Sequence, residues 1–136
     1  MAKGSCLCSQ IEFEYSGEPA TTALCHCVDC QKWTGAAYTA NVVVPRGNFN
    51  VTKGQDVLKS YDATGASGKI NKHWFCNNCG SSLYTELEVM PDVTCVKSGT
   101  LDGGASNHDV AVEFYTKDRL KYSAQVEGAE QKPEFG

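Results

Sequence analysis

Apolar residues recur along the chain mostly at every second position, which is the period of a β-strand with one buried face. Ile11, Phe13 and Tyr15 alternate in this way with Glu12 and Glu14. The same pattern, interrupted by turns that contain glycine or proline, predicts further strands over 37–44, 48–53, 57–62, 69–75, 82–89, 93–98, 110–115 and 120–124. The sequence therefore predicts an all-β fold, mostly β with few short helices.

Only one short helical piece is predicted, because no segment keeps the 3.6-residue period beyond about two turns. It starts near Asp29, covers 30–33 and ends before Thr34 and Gly35, with Asp29 as an acidic residue of the first turn. At 136 residues the chain has the size of a single domain. We assign that domain to 1–124 and interpret 125–136 as a C-terminal tail or edge extension.

Eight cysteines are the most informative residues of the chain. Seven of them fall in tight groups, and Cys95 stands apart; the groups are Cys6 and Cys8, then Cys25, Cys27 and Cys30, then Cys76 and Cys79. A disulfide within such a group would close a strained ring. Sulfurs spaced C-x-C or C-x-x-C on a tight turn converge readily on one zinc ion. The spacing therefore predicts zinc binding.

The cellular setting that fits these cysteines is reducing. No apolar signal segment precedes Gly4, and the spacings do not match a secreted disulfide framework. We therefore expect a cytoplasmic protein with free thiols.

Two zinc sites of different kinds follow from the grouping. Cys6 and Cys8 with Cys76 and Cys79 would form a closed four-thiolate site, which closes a long loop and is structural. The remaining group, Cys25, Cys27 and Cys30, offers three ligands and leaves one position for water or substrate, as catalytic sites do. Four thiolates leave the zinc complex at −2 and three leave it at −1, so the second site is better able to acidify a ligand. We predict two zinc ions per chain, one structural and one catalytic or exchangeable.

The fourth ligand of the second site has alternatives. Cys95, His73 or His108 could supply it, and both zinc ions would then be structural. His26 lies between two ligands and is expected to point away from the metal. Cys95 is also explained as a small apolar residue of a strand.

The composition excludes some partners. Hydrophobic residues make up 41% of the chain and charged residues 21%, which is typical of globular proteins, and no apolar run could span a bilayer. A formal charge of −4 provides no basic surface for a phosphate backbone. We therefore expect neither a membrane nor a nucleic acid but a small-molecule partner. The oligomeric state is not predicted.

Three motifs together closely resemble the signatures of the glutathione-dependent formaldehyde-activating enzyme family, which includes centromere protein V. They are Gly4-Ser5-Cys6-Leu7-Cys8, the segment from Cys25 to Gly35, and Phe75-Cys76-Asn77-Asn78-Cys79-Gly80-Ser81, and the later Ser98-Gly99-Thr100-Leu101-Asp102 is similar to a G-x-L-D segment of the family. A single CxxC would be weak support, whereas this ordered combination is specific.

The resemblance implies a zinc-stapled β fold of two stacked sheets, shared with a Rab-binding chaperone. It also implies a structural zinc at Cys6, Cys8, Cys76 and Cys79 and the reactive zinc at Cys25, Cys27 and Cys30. The implied activity is that of a carbon–sulfur lyase. The thiol of glutathione would take the fourth zinc position, lose its proton and add to formaldehyde.

The favoured function is therefore a zinc-dependent enzyme that forms or cleaves an adduct between a thiol, such as glutathione, and a small carbonyl compound. The alternative is a non-catalytic binding module with two structural zinc ions. Near the three-cysteine group, the sequence offers Asp29 and His26 as acid or base.

Overall fold

The computed structural model describes residues 1–105 and 108–135, and this part of the chain consists mainly of β-strands with one short α-helix. The strands are β1 (Ala2–Ser5), β2 (Glu12–Tyr15), β3 (Thr21–Cys25), β4 (Thr39–Pro45), β5 (Phe49–Lys53), β6 (Leu58–Thr64), β7 (Ile70–Cys76), β8 (Ser82–Leu87), β9 (Met90–Lys97), β10 (Val112–Phe114) and β11 (Glu130–Gln131). The helix, α1, is Val28–Thr34. The predicted mostly β composition is confirmed.

The strands form two sheets. One has three strands in the order β1-β2-β5, and the other has eight in the order β11-β10-β3-β4-β9-β8-β7-β6. Most neighbours are antiparallel, but β10 runs parallel to both β3 and β11. The last strand, β11, therefore extends the edge of the larger sheet, and nearby the ring of Phe135 stacks on that of Phe114 at 5.0 Å.

Three strands, β1, β3 and β11, have no counterpart among the predicted strands, and β11 lies in the segment interpreted as a tail or edge extension. In β3 the adjacent residues Ala23 and Leu24 are both buried, so the strand does not alternate between buried and exposed positions. In β1 the buried position is Gly4, which has no apolar side chain that would mark the alternation. A Cβ atom there would lie 2.4 Å from the Phe13 ring and 2.5 Å from the carbonyl oxygen of Thr100, so this position excludes a side chain.

The predicted strand over 120–124 is wrong. The backbone turns there, and the N–H of Ser123 donates to the carbonyl of Leu120 at 3.0 Å. Tyr122 is 83% exposed. The segment lacks a buried face to stabilise an extended strand, although its apolar residues alternate.

The hydrophobic core lies between the two sheets. Phe13 of the smaller sheet meets Val42 and Val96 of the larger sheet there, and all three are at most 1% exposed. Since successive side chains of a strand point to opposite faces, Asn41 and Lys97 lie on the other face of the larger sheet. We call this side, turned away from the core, the outer face.

The outer face is covered by α1. The ring of Trp33 in α1 lies 4.3 Å from the ring of His73 and 5.1 Å from Nζ of Lys97. The helix thereby buries polar residues of the sheet that would otherwise face water. Within the described residues, no helix is long and apolar enough to cross a bilayer.

The ends of α1 match its sequence. Cys27 is the N-cap, and its sulfur accepts the N–H of Cys30 at 3.3 Å. Gly35 ends the helix with a φ of +67°, a conformation that glycine adopts without strain. The predicted helix is confirmed, with Asp29 in its first turn as expected.

Four cysteines close the core at one end. Cys6 and Cys76 are at most 2% exposed and belong to the core, and their sulfurs cluster with those of Cys8 and Cys79. Cys8 and Cys76 are 68 positions apart in sequence. A metal at this cluster would therefore join the segment after β1 to the β7–β8 connection.

We expect Cys76→Ser to unfold the domain or make it insoluble. A structural zinc contributes about 10–16 kcal/mol of binding free energy, which is comparable to the whole stability of a domain, about 5–15 kcal/mol. Soluble yield and thermal melting measure the effect. Cys95→Ser is the matched control, because Cys95 lies outside both clusters, and it should fold. A Cys76→Ser protein that melts like the parent would refute the structural role.

Candidate metal centres

The four-cysteine cluster has the dimensions of a tetrahedral zinc site. The sulfurs of Cys6 and Cys8 are 3.6 Å apart, those of Cys8 and Cys76 are 3.8 Å apart, and all four lie within 4.8 Å of one another. Four sulfurs at about 2.3 Å from one ion are about 3.8 Å apart. The cluster therefore fits zinc, and its four ligands would fill the coordination sphere.

Hydrogen bonds support these sulfurs. The N–H of Ile11 donates to the Cys6 sulfur at 3.3 Å, and the Ser81 hydroxyl lies 3.2 Å from the Cys79 sulfur. Burial alone would raise the pKa of Cys79, but hydrogen bonds from Ser81 and from the backbone lower it to about 5. Burial raises the pKa of Cys76 to about 11, so at neutral pH Cys79 rather than Cys76 is a thiolate.

The three-cysteine cluster lies at the junction of β3 and α1. Cys25 is the last residue of β3, Cys27 caps α1, and Cys30 is in the first turn of the helix. The three sulfurs lie within 4.8 Å of one another and each residue is half-buried. The connection from strand to helix therefore brings together three ligands from six consecutive positions.

The electrostatics of this cluster favour a bound cation. Interactions with Cys25 and Cys27 lower the pKa of Cys30 to about 2, assisted by the charge of Lys97 and the Thr39 hydroxyl. The same sulfur–sulfur interactions, together with burial, raise the pKa of Cys25 far above its usual range. At neutral pH the cluster holds a thiolate, the soft donor that zinc prefers.

The three alternative fourth ligands lie elsewhere. Within residues 1–105 and 108–135, neither Cys95, His73 nor His108 joins the three sulfurs. His73 instead shares a hydrogen bond of 2.9 Å with the Thr85 hydroxyl. Burial and the charge of Lys97 lower its pKa to about 4, so its ring is neutral at neutral pH. The described residues therefore offer this centre three ligands and leave one tetrahedral position to an external molecule.

His26 points away from the cluster, as expected from its place between two ligands. Its Nε2 lies 2.8 Å from Oε1 of Glu113, and both side chains are at most 1% exposed. The other carboxylate oxygen of Glu113 accepts the N–H of Val126 at 2.9 Å and the amide of Gln131 at 2.6 Å. Burial would raise the pKa of Glu113, but these hydrogen bonds and the charge of Arg119 lower it.

The role of His26 is therefore structural rather than acid–base. Its backbone N–H donates to the carbonyl of Phe114 at 3.0 Å, and its carbonyl accepts the amide of Gln31 at 2.8 Å. These contacts fix the loop that carries Cys25 and Cys27. Asp29, the other candidate for an acid or base, is exposed on the first turn of α1.

Two residues near the cluster are not indicated by any motif. Lys97 is 8% exposed, and burial lowers its pKa while the neighbouring thiolates oppose that shift. Its only signal in the sequence is that it shares a strand face with Val93 and Cys95, where an apolar residue is expected. Tyr115 has a φ of +56°, which is unusual for a bulky residue. Burial raises its pKa, and the nearby cysteine thiolates raise it further.

The chain resembles several proteins over the region that carries both clusters. A protein of Aspergillus flavus with the provisional name glutathione-dependent formaldehyde-activating enzyme is 30% identical over 86 residues, which are 62% of this chain and 43% of that protein. A protein of Fusarium vanettenii with the same provisional name is 32% identical, over 61% of this chain and 42% of its own length. An uncharacterised lyase of Schizosaccharomyces pombe is 29% identical, over 60% and 55%. The chain thus spans about half the length of these curated relatives.

A solved structure has the same fold. The crystal structure of a Rhodobacter sphaeroides protein superposes with a TM-score of 0.63 at 25% sequence identity, and the match covers 79% of this chain and 96% of that one. The family model described as glutathione-dependent formaldehyde-activating enzyme matches residues 1–118, which include all seven clustered cysteines. By this match, the chain belongs to the glutathione-dependent formaldehyde-activating enzyme family.

Proposed function

We propose that the protein is a carbon–sulfur lyase-type enzyme that forms or cleaves an adduct between a thiol, such as glutathione, and a small carbonyl compound. The observation that carries this proposal is the half-buried cluster of Cys25, Cys27 and Cys30, to which the described residues bring no fourth ligand. Membership of the family and the lyase name of one relative support it. In this proposal the four-cysteine cluster holds a structural zinc that staples the fold.

In this proposal the three-cysteine centre is the reactive one. A zinc ion at the three-cysteine centre would supply one coordination position for a thiol and would lower the pKa of that thiol. The chain holds the three sulfurs at a strand end and a helix N-terminus, so the loop needs no rearrangement when a ligand arrives. All eight cysteines are free, and we therefore place the protein in a reducing compartment such as the cytoplasm.

We propose that the hydroxyl of Tyr115 donates a hydrogen bond to the carbonyl oxygen of the substrate. Burial and the charges of Cys27 and Cys25 raise the pKa of this phenol, which is therefore protonated at neutral pH. Tyr115 directly follows Phe114, which pairs with Cys25 across β10 and β3. A protonated hydroxyl there would donate a hydrogen bond to the oxygen on which negative charge develops during addition. His26 and Asp29 do not fill this role, because His26 is bound to Glu113 and Asp29 is exposed.

Replacing Cys27 by Ser should lower the zinc content from about two ions per chain to about one and abolish activity, because two sulfurs alone hold zinc poorly. The fold should persist, since the cluster spans six positions and closes no long loop. Elemental analysis and thermal melting provide the two measurements. Loss of both metals would instead indicate one shared cluster.

The cobalt-substituted protein should bind glutathione at the three-cysteine centre. A soft sulfur is a favoured fourth ligand, so millimolar glutathione should change the sulfur-to-cobalt charge-transfer band. The matched control is the Cys27→Ser protein, whose remaining cobalt at the four-cysteine cluster should not respond. An unchanged band in the fully metallated parent would favour the binding module with two structural metals.

Tyr115→Phe should reduce the rate of adduct formation above the uncatalysed background by about a hundred-fold. Zinc content and melting temperature should stay at the parent values, because the phenyl ring and the backbone are retained. Tyr122→Phe serves as the control, since Tyr122 is 83% exposed. Full activity of the Tyr115→Phe protein would remove Tyr115 from the mechanism.

A further inference from the structure

We propose that Lys97, Asn41 and Thr39 form a directed hydrogen-bond chain that transmits the positive charge of Lys97 to the sulfur of Cys30. Through this chain the three-cysteine centre prefers an anionic fourth ligand, a thiolate, over a neutral one. Lys97 is thus a positioning residue that acts through the metal ligand. The inference rests on the proposed function in one respect, namely that an external thiol binds at this centre.

The chain consists of three hydrogen bonds. Nζ of Lys97 donates to Oδ1 of Asn41 at 2.5 Å, and Nδ2 of Asn41 donates to Oγ1 of Thr39 at 3.0 Å. The Thr39 hydroxyl then donates to the sulfur of Cys30 at 3.3 Å. The direction is fixed because a lysine ammonium can only donate and a thiolate can only accept. Such chains polarise their members, so a charge at one end strengthens the bond at the other.

Strand pairing builds this chain into the sheet. Asn41 of β4 pairs directly with Lys97 of β9, and Thr39 pairs with Cys25 at the end of β3. Thr39 and Asn41 are two positions apart on one strand, so both side chains lie on the outer face. The three chain residues are between 2% and 9% exposed, which shows that α1 and the sheet shield them from water.

The buried ammonium has no carboxylate to neutralise it. Within residues 1–105 and 108–135, no ion pair with Asp or Glu includes Lys97. Lys97 interacts electrostatically with the thiols of Cys95, Cys30, Cys25 and Cys27, and among these the pKa of Cys30 is lowered, so that Cys30 carries the negative charge. Burying an unpaired charge is costly, so the countercharge of Lys97 must come chiefly from the cysteine cluster.

The aromatic neighbour of Lys97 supports the same conclusion. Nζ lies 5.1 Å from the centre of the Trp33 ring, a contact that favours a cation over a neutral amine. Trp33 belongs to the helix that carries Cys30 and also stacks on His73, so it holds Lys97 against the cluster. Two other titratable groups on this face do not share the role, because the lowered pKa of His73 and the raised pKa of the Cys95 thiol leave both side chains neutral.

The charge balance explains the selectivity. Three thiolates and one zinc ion carry −1, and a thiolate as fourth ligand brings the centre to −2. A neutral fourth ligand leaves the centre at −1, and the positive charge of Lys97 is attracted more strongly by −2 than by −1. The attraction of a buried cation therefore favours the thiolate specifically. A residue that only supported the fold would affect both kinds of ligand alike.

The test compares two ligands of the cobalt-substituted protein, 2-mercaptoethanol, which binds as a thiolate, and imidazole, which binds as a neutral molecule. Lys97→Met removes the charge and keeps the approximate length of the side chain. We expect its affinity for 2-mercaptoethanol to fall about ten-fold or more and its affinity for imidazole to stay within about two-fold. Lys97→Arg, which keeps the charge, should recover part of the thiol affinity.

Lys72→Met is the matched control. Nζ of Lys72 lies 5.9 Å from the Trp74 ring, but Lys72 is partly exposed and pairs with Asp62 at 3.1 Å. The Lys72→Met protein should bind both ligands with the affinities of the parent.

Thr39→Val keeps Lys97 and removes the last donor of the hydrogen-bond chain. It therefore tests the proposal even if Lys97→Met does not fold. It should shift the ligand preference in the same direction by a smaller factor.

A second readout needs no added ligand. Removing a donor from a thiolate raises the energy of its electrons, so the sulfur-to-cobalt band should move to lower energy in Lys97→Met and Thr39→Val but not in Lys72→Met. Equal loss of both ligands, or a parental preference and an unshifted band, would overturn the role of Lys97. A parent whose band ignores thiol would overturn the proposed function instead, and the band positions of the variants would still decide whether the chain acts on Cys30.

Discussion

The structure depends on the meeting of two sulfur pairs that lie far apart in sequence. Cys6 and Cys8 follow the first strand, Cys76 ends the seventh and Cys79 follows it. The four sulfurs lie within 4.8 Å of one another at the end of the core. The two sheets of a domain this small bury only a modest apolar interior, in which Phe13 and Val96 meet. A metal that ties one sheet to the other at this point would supply stability that the packing alone does not.

The two cysteine clusters contain the same donor atom but differ in their surroundings. The first is part of an apolar core, its sulfurs take hydrogen bonds from neighbouring backbone and hydroxyl groups, and its ligand set is complete. The second lies at the outer face, at the start of α1, beside a buried lysine and a tyrosine in a left-handed conformation. The difference between the proposed structural centre and the proposed reactive centre is therefore one of position in the fold. Ligand number, burial and nearby charge all follow from where the strand ends and the helix begins.

The cysteine groups and most strands were predictable from the sequence, because ligand spacing and the period of two are local properties. The partition into four and three sulfurs joins distant positions and was predicted by counting the ligands of a closed and an open site, and the structure groups the sulfurs in that way. The orientation of His26 follows from its place between two clustered cysteines. The strand β3 was not predictable. Its adjacent residues Ala23 and Leu24 point to opposite faces and are both buried, so apolar and polar positions do not alternate. Lys97, Asn41 and Thr39 escaped notice for the opposite reason. Polar residues in a strand ordinarily face water, and only the packing of α1 across the sheet makes these residues part of a buried site.

Glu113 connects the metal loop to a part of the chain that the family match does not include. The matched region ends at residue 118, yet Glu113 holds both His26, between two cysteine ligands, and the segment of Val126 and Gln131. Shortening the chain to the shared region would leave a buried carboxylate without two of its hydrogen-bond donors, directly behind the ligand loop. The C-terminal segment therefore helps to hold the cysteine loop in place from its far side, through the contacts of Glu113.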